Sequence, residues 1–255
     1  MREFLGNRGV NAMLAHEVAH QWFGHETWPR DGWLDNWLTE SFAEYFAGLA
    51  MGWAESNVKA KVGMRGFKEM HAEWWRFARE VEGLGTIRGA NRLSGDLGWN
   101  YRVDLLYNRG PLVLHQLRTL VGDQRFQSIV KEWLGSAAKG PSDTSALARA
   151  AGKVLRQDMG WYFDQWLDQT TIPEVEVKYE IVPNGSGALL RGRVVQHGDE
   201  FYKLHVPLIL AMPGGRTDVR LVFQESPTQD FEFELPATPS KVMVDPSGNN
   251  LAEYR

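Results

Sequence analysis

The stretch His16-Glu17-Val18-Ala19-His20 decides how the first part of this sequence is expected to fold. On an α-helix, residues i and i+4 lie on one face about 5–6 Å apart, so both imidazole rings can point at the same place. Apolar residues around the pentad recur at helical spacing, namely Val10, Met13, Leu14 and Val18. The sequence therefore predicts a helix with two histidines on one face.

Outward from this helix, the hydrophobic period changes once along the chain. A period of 3.6 continues to about residue 170, and Gly- or Pro-containing stops predict short helices over 124–134, 144–157 and 159–168. From Pro173 onward the period is two, with turn residues every few positions, which predicts six or seven short strands. We expect a multidomain α plus β chain: a mainly helical domain over 1–171, then a small all-β sandwich over 172–255.

Composition and charge limit the classes of protein to consider. The chain is 43% hydrophobic and 24% charged, which is typical of a soluble globular protein with a real core. A formal charge of −4 without a basic patch argues against nucleic acid as a partner. The sequence contains no run of 18 apolar residues, so no transmembrane segment is predicted. The chain has no cysteines, which excludes disulfides and thiolate-ligated metals. The compartment stays open between the cytoplasm and a secreted or periplasmic location.

The pentad also predicts a metal site. Zinc is commonly bound by neutral imidazoles and a carboxylate, with water in the fourth position of a catalytic site. His16 and His20 supply the two imidazoles, and Glu40, near the start of a second predicted helix, supplies the carboxylate. Glu17 lies roughly 100° around the helix from His16, close enough to reach a metal-bound water without being a ligand. We therefore expect one Zn²⁺ per chain and a catalytic role for Glu17.

Two side chains near these candidates allow more than one interpretation. Glu44 lies one helical turn beyond Glu40, where it could orient a ligand histidine or simply be a solvated charge. Trp22 and Phe23 follow the pentad directly and are expected to brace the helix rather than to contact a substrate.

The motifs resemble those of a known family. His16-Glu17-Val18-Ala19-His20-Gln21-Trp22-Phe23-Gly24, followed by Asp35-Asn36-Trp37-Leu38-Thr39-Glu40-Ser41-Phe42-Ala43, resembles the aminopeptidase N family of gluzincin zinc metallopeptidases. Tyr107-Asn108-Arg109-Gly110-Pro111 is similar to that family's Tyr-x-Lys-Gly-Ala segment. The resemblance implies a thermolysin-like catalytic lobe with zinc on His16, His20 and Glu40. It also implies Glu17 as the general base and Tyr107 as hydroxyl donor to the oxyanion, although Tyr101 is a nearby competitor.

The chain departs from the family pattern in three places. Nineteen residues separate His20 from Glu40, where the family usually has eighteen, and the extra residue is expected in the loop around Pro29–Gly32. Arg109 stands where the family has a lysine. The family's Gly-Ala-Met-Glu-Asn segment, which binds the substrate's amine, normally lies upstream of the zinc motif. The fifteen residues before His16 in this sequence do not contain it. We therefore expect this chain to be part of a longer enzyme whose upstream domains pack on the helical lobe.

These residues predict zinc-dependent hydrolysis of peptide bonds, with removal of N-terminal residues from peptide substrates as the first hypothesis. A zinc endopeptidase, or another zinc hydrolase on the same core, is the alternative within enzymes. A non-catalytic scaffold homologue that lacks the substrate-binding half is the alternative outside them.

Overall fold

The computed structural model describes residues 8–57, 66–92 and 95–255. The chain divides into two compact units, Met1–Thr170 and Thr171–Arg255. The first is mainly helical and the second consists of strands.

The helices of the first unit follow the predicted hydrophobic period. Their bounds are α1 Arg8–Ala19, α2 Trp37–Asn57, α3 Phe67–Glu80, α4 Gly95–Asp104, α5 Gly110–Val121, α6 Asp123–Ala137, α7 Thr144–Leu155 and α8 Gly160–Asp168. A 3₁₀ turn spans Ala90–Arg92, and a π-helical turn, Leu105–Arg109, joins α4 to α5. The helices predicted over 124–134, 144–157 and 159–168 correspond to α6, α7 and α8, with ends that differ by no more than three residues.

Local backbone chemistry sets the ends of α7. The Asp143 carboxylate accepts a hydrogen bond of 2.7 Å from the backbone N–H of Ala146, which is the usual N-cap contact. Arg156 adopts a left-handed conformation with φ of +58°, and the helix stops before it. The sequence predicts the end of α7 two residues later, at 157, because the spacing of apolar residues contains no information about a left-handed backbone conformation.

An aromatic cluster fixes the end of α1 against α2 and α6. The Phe23 ring lies 5.1 Å from Phe42 and 6.1 Å from Trp133, and the Phe42 and Trp133 rings are 4.8 Å apart. All three side chains are buried. Aromatic pairs at these distances add to the stabilisation that comes from burying apolar area. The turn that follows the two histidines is therefore packed into the core through Phe23.

A short parallel sheet that the sequence did not predict ties the segment after α1 to the α6–α7 corner. Its strands are β1, Thr27–Pro29, and β2, Gly140–Ser142. Nearby, the buried Asp35 carboxylate accepts hydrogen bonds of 2.9 Å from both the N–H and the hydroxyl of Thr144. The start of α2, which carries Glu40, is therefore anchored to the start of α7.

The second unit contains seven strands in the fully described residues 171–255. They are β3 Glu174–Asn184, β4 Gly187–His197, β5 Leu204–Met212, β6 Arg216–Gln224, β7 Thr228–Leu235, β8 Lys241–Val244 and β9 Glu253–Tyr254. One sheet has the order β7-β4-β3-β9 and the other β6-β5-β8. Alternate residues are buried, as in β5, where Leu204, Val206, Leu208 and Leu210 lie in the core. The two-residue β9 was not predicted because it is too short to show a period.

The predicted fold class, a mainly helical unit followed by a small all-β unit of two sheets, is confirmed. In residues 8–57, 66–92 and 95–255, we find no helix with the length and apolar character that crossing a membrane requires.

Candidate metal centre and catalytic site

The end of α1 and the first turn of α2 bring the predicted ligand residues together. His16 lies in α1, and His20 lies one residue beyond its end, where its N–H still bonds to the His16 carbonyl at 3.2 Å. Glu40 is the acidic residue in the first turn of α2, where the helix dipole stabilises a negative charge. The predicted helical spacing thus holds for both histidines, although the second is in the turn.

The three candidate ligand atoms converge on one point. Glu40 Oε2 lies 3.5 Å from His16 Nε2 and 3.6 Å from His20 Nε2. Ligand atoms of a tetrahedral zinc site are about 3.3–3.5 Å apart when metal–ligand distances are near 2.1 Å. The separation fits that geometry with nineteen residues between His20 and Glu40.

The other nitrogen of each imidazole has its own hydrogen-bond partner. His16 Nδ1 lies 3.0 Å from Glu44 Oε2, and His20 Nδ1 lies 2.9 Å from the Phe23 carbonyl oxygen. Glu44 is held in turn by the Trp74 indole N–H, which donates to Oε1 at 3.1 Å. These contacts leave both Nε2 atoms directed at Glu40, the arrangement that carboxylates and carbonyls give metal-binding histidines. Glu44 is thus bonded to His16 rather than solvated.

The electrostatics of the cluster favour a cation. Burial by itself lowers the pKa of His16, but hydrogen bonds to the Glu40 and Glu44 carboxylates outweigh it and raise the pKa to about 9. Burial raises the pKa of Glu40, but hydrogen bonds with His16 and Tyr107 outweigh it, so the net shift is downward. Glu40 Oε2 is buried, and its contacts of 3.5 and 3.6 Å with the two imidazole nitrogens are too long for well-formed hydrogen bonds among the described residues. A metal ion between these three atoms would satisfy the buried carboxylate oxygen, so the donor set fits zinc.

Glu17 and Tyr107 lie beside this cluster. Glu17 is exposed on α1. Tyr107 is half-buried in the π-helical turn, and its ring stacks on His16 with centroids 5.3 Å apart. Burial, a hydrogen bond with Glu40 and the charges of Glu44 and Glu17 raise the pKa of Tyr107, so its hydroxyl keeps its proton. Tyr101 lies in α4, and Tyr107 is the tyrosine of the pair that stacks on His16.

Arg109 points away from the cluster. Its side chain is fully buried and donates to the carbonyl oxygens of Gln169 and Thr170 at the end of α8. The exchange of the family's lysine for arginine therefore affects packing of the π-helical turn rather than the reacting groups.

A polar cavity of about 430 Å³ adjoins Glu40 and Tyr107. Its lining residues are Gly32, Trp33, Asn36, Glu40, Asn91, Arg102, Val103, Leu106 and Tyr107. Sequence reasoning missed its polar lining, since isolated Asn and Arg residues carry no periodic signal. A larger cavity of about 750 Å³ lies in the β unit around Gly192 and contains none of the predicted site residues.

One face of α1 is apolar and exposed. Met13, Leu14 and Val18 are each at least 44% exposed, and Trp22 is 52% exposed. The expectation that Trp22 braces the helix is therefore wrong, because more than half of its surface is exposed, whereas the buried Phe23 braces the helix as expected. Packing of further domains on this lobe stays a prediction.

Comparison with known proteins gives a consistent result for the helical unit. Residues 4–166 match the family described as peptidase family M1 domain. Aminopeptidase N of Lactococcus lactis subsp. lactis is 26% identical over 173 residues, which cover 66% of this chain and 20% of that protein. Aminopeptidase M1-A of Oryza sativa subsp. japonica is 25% identical over 179 residues, covering 66% of this chain and 19% of that protein. The chain therefore spans about a fifth of the length of these relatives.

A solved structure has a similar fold. Legionella pneumophila aminopeptidase A, determined in complex with aspartic acid, superposes on 96% of this chain and 27% of its own with a TM-score of 0.72 at 15% identity. At this identity the likeness concerns the fold alone.

Proposed function

Since this chain belongs to peptidase family M1, we propose that it hydrolyses peptide bonds as a zinc metallo-aminopeptidase, removing N-terminal residues from peptides. The observation that carries the proposal is the convergence of His16 Nε2, His20 Nε2 and Glu40 Oε2 around one point. Three such ligands and an open fourth position are the donor set of a catalytic zinc site.

Zinc bound there would lower the pKa of a coordinated water to about 7 and polarise the scissile carbonyl. His16 and His20 hold their Nε2 atoms toward Glu40 because Glu44 and the Phe23 carbonyl occupy the opposite nitrogens. Glu44 is thus proposed as a positioning residue for His16.

Glu17 is proposed as the general base. Its place after His16 on α1 puts an exposed carboxylate beside the ligand cluster without making it a ligand. It accepts the proton of the attacking water and delivers it to the leaving amine, which must gain a proton as the amide bond breaks.

Tyr107 is proposed to stabilise the developing oxyanion. Its ring is fixed by stacking on His16, and its hydroxyl stays protonated because its pKa is raised. A preorganised O–H donor is worth most where charge appears only in the transition state.

Zinc content and hydrolysis, measured together on the purified protein, test the proposal. We expect one zinc per chain and cleavage of an aminoacyl chromogenic substrate but not of an N-blocked peptide. The substrate panel includes aspartyl as well as leucyl derivatives, since Arg102, a cationic residue, lines the cavity beside Tyr107.

Glu40→Ala should weaken zinc binding by more than about 100-fold, a larger loss than outer-shell changes cause. Glu55→Ala, at an exposed position of the same helix, is the matched control and should bind zinc normally.

Cleavage of the blocked peptide would favour an endopeptidase, and absence of both zinc and hydrolysis would favour the scaffold alternative.

A further inference from the structure

The π-helical turn that carries Tyr107 leaves one backbone carbonyl without a helical partner. The N–H of Gly110 bonds to the carbonyl of Leu105, five residues back, rather than to Leu106. The next residue along, Pro111, has no N–H to offer. The Leu106 carbonyl thus has neither an i+4 nor an i+5 donor within its own helix, and a buried carbonyl in this position requires another one.

Ser41 supplies that donor from a different helix. Its hydroxyl donates a hydrogen bond of 2.7 Å to the Leu106 carbonyl oxygen, and the side chain is completely buried. The contact joins the peptide group between Leu106 and Tyr107 to the residue that follows Glu40 in α2.

Gly110 makes this close approach possible. A Cβ at position 110 would lie 2.0 Å from Ser41 Oγ, whereas the backbone of Gly110 is ordinary helix with φ of −59°. The glycine is therefore required by the proximity of α2 and not by its own conformation. Two independent features therefore involve the Ser41 hydroxyl: it is the donor to the Leu106 carbonyl, and it occupies the space that a Cβ at position 110 would need.

We propose that Ser41 is a positioning residue for Tyr107: its hydroxyl holds the π-helical turn against α2 and so fixes the phenol relative to Glu40 and His16. The proposal rests on the catalytic role proposed for Tyr107. Ser41 has no access to substrate because it is buried beneath the site.

The first test uses ¹⁹F NMR of the zinc-loaded protein labelled with 3-fluorotyrosine. The chain has seven tyrosines, and the resonance lost in Tyr107→Phe identifies the one of interest. Ser41→Ala should shift or broaden that resonance. Thr27→Ala is the matched control, since Thr27 is also buried and donates to a backbone carbonyl, that of Ala137, away from the site; it should leave the resonance unchanged.

The second test is a kinetic double-mutant cycle. Ser41→Ala should lower kcat by about 10–100-fold through misplacement of the phenol, with little change in KM or zinc content. In the Tyr107→Phe background the same substitution should cost less than about 2-fold, because the group it positions is already gone. Equal losses in both backgrounds would show a role independent of Tyr107.

The two tests separate this proposal from the proposed function. If the zinc-loaded wild type does not hydrolyse peptides, the proposed function fails, while the NMR comparison still decides whether Ser41 positions the ring. An unchanged Tyr107 resonance in Ser41→Ala would overturn the inference. Should that variant not fold, Ser41→Cys, of similar size with a weaker donor, should produce a smaller shift in the same direction, and no shift would count against it.

Discussion

The helical unit and the β unit treat their buried polar groups differently. In the β unit, whose residues are all described, every buried side-chain nitrogen or oxygen has a hydrogen-bond partner. In the helical unit, Thr39 Oγ1 and Glu40 Oε2 are buried without one among the described residues. These two atoms belong to neighbouring residues in the first turn of α2.

The β unit shows what a fully satisfied arrangement looks like. The Gln196 side chain donates to the Tyr202 carbonyl and to Gln224 Oε1, and accepts from the Tyr202 N–H. The buried Asp245 carboxylate accepts from the backbone N–H groups of Asn249 and Asn250. Each of these buried polar groups therefore has its hydrogen-bond partners within the β unit.

An unsatisfied buried polar group costs roughly 1–3 kcal/mol, so folding alone gives no reason to leave Glu40 Oε2 open. The contrast supports the proposed metal site in the helical unit, whereas the buried polar groups of the β unit are partnered within the fold itself. Substitutions should therefore separate activity from stability according to the unit in which they fall.

The largest effect is expected from Glu17→Gln. Loss of the proposed general base should lower kcat by about 10²–10⁴-fold, while zinc content and the melting temperature should stay at wild-type values because Glu17 is exposed and outside the His16, His20 and Glu40 cluster. Steady-state kinetics with metal analysis check this, with Glu55→Gln as the control. Substantial residual turnover would remove Glu17 from the role of base.

Tyr107→Phe should lower kcat by about 10²–10³-fold, the usual loss when one oxyanion donor is removed. Tyr101→Phe provides the control at the competing position and should be nearly silent in the same assay. A larger loss in the Tyr101 variant would transfer the role to that residue.

Glu44→Ala should weaken zinc binding by about 10–100-fold, since it removes the carboxylate that orients His16. Trp74→Phe removes only the indole N–H that holds Glu44 and should have a smaller effect. Competition with a chromophoric chelator measures both affinities. Unchanged affinity in the alanine variant would mean that His16 is oriented by packing alone.

The opposite pattern is expected in the β unit. Gln196→Ala leaves the buried Tyr202 carbonyl and Gln224 Oε1 without the hydrogen bonds that Gln196 donates. The free energy of unfolding should therefore fall by about 1–3 kcal/mol. Urea denaturation measures the loss, and Gln229→Ala, at a solvent-exposed hydrogen bond, is the control. Kinetics at 25 °C should not change; a fall in kcat without a fall in stability would contradict the contrast between the units.

Much of the candidate site could be predicted from sequence because its information is local. The spacing of His16 and His20 within one helical turn, and an acidic residue at the start of the next helix, are visible as patterns along the chain. The sequence leaves two interpretations of Glu44 open because nothing local shows whether a side chain one turn beyond Glu40 faces His16. The structure gives the contact that distinguishes them.

The parts that could not be predicted depend on contacts between distant segments. Trp74 supports Glu44 from thirty residues away, and Ser41 meets Leu106 across sixty-five positions. Neither pair leaves a period or a motif. The β1–β2 pair was missed for the same reason, since three residues on each strand are too few to alternate.

The loop between His20 and Glu40 has a further consequence. Hydrogen bonds hold it at three points along its length. The Phe23 carbonyl bonds to the His20 ring, the Arg30 N–H to the Ser142 carbonyl, and the Asp35 carboxylate to the Thr144 N–H. Since these contacts hold both ends and the middle of the loop, we expect that one residue can be gained between them without displacing Glu40 from His16 and His20. Sequence scans that demand a fixed interval between the histidines and the glutamate would pass over this protein, whereas scans that let the interval vary would find it.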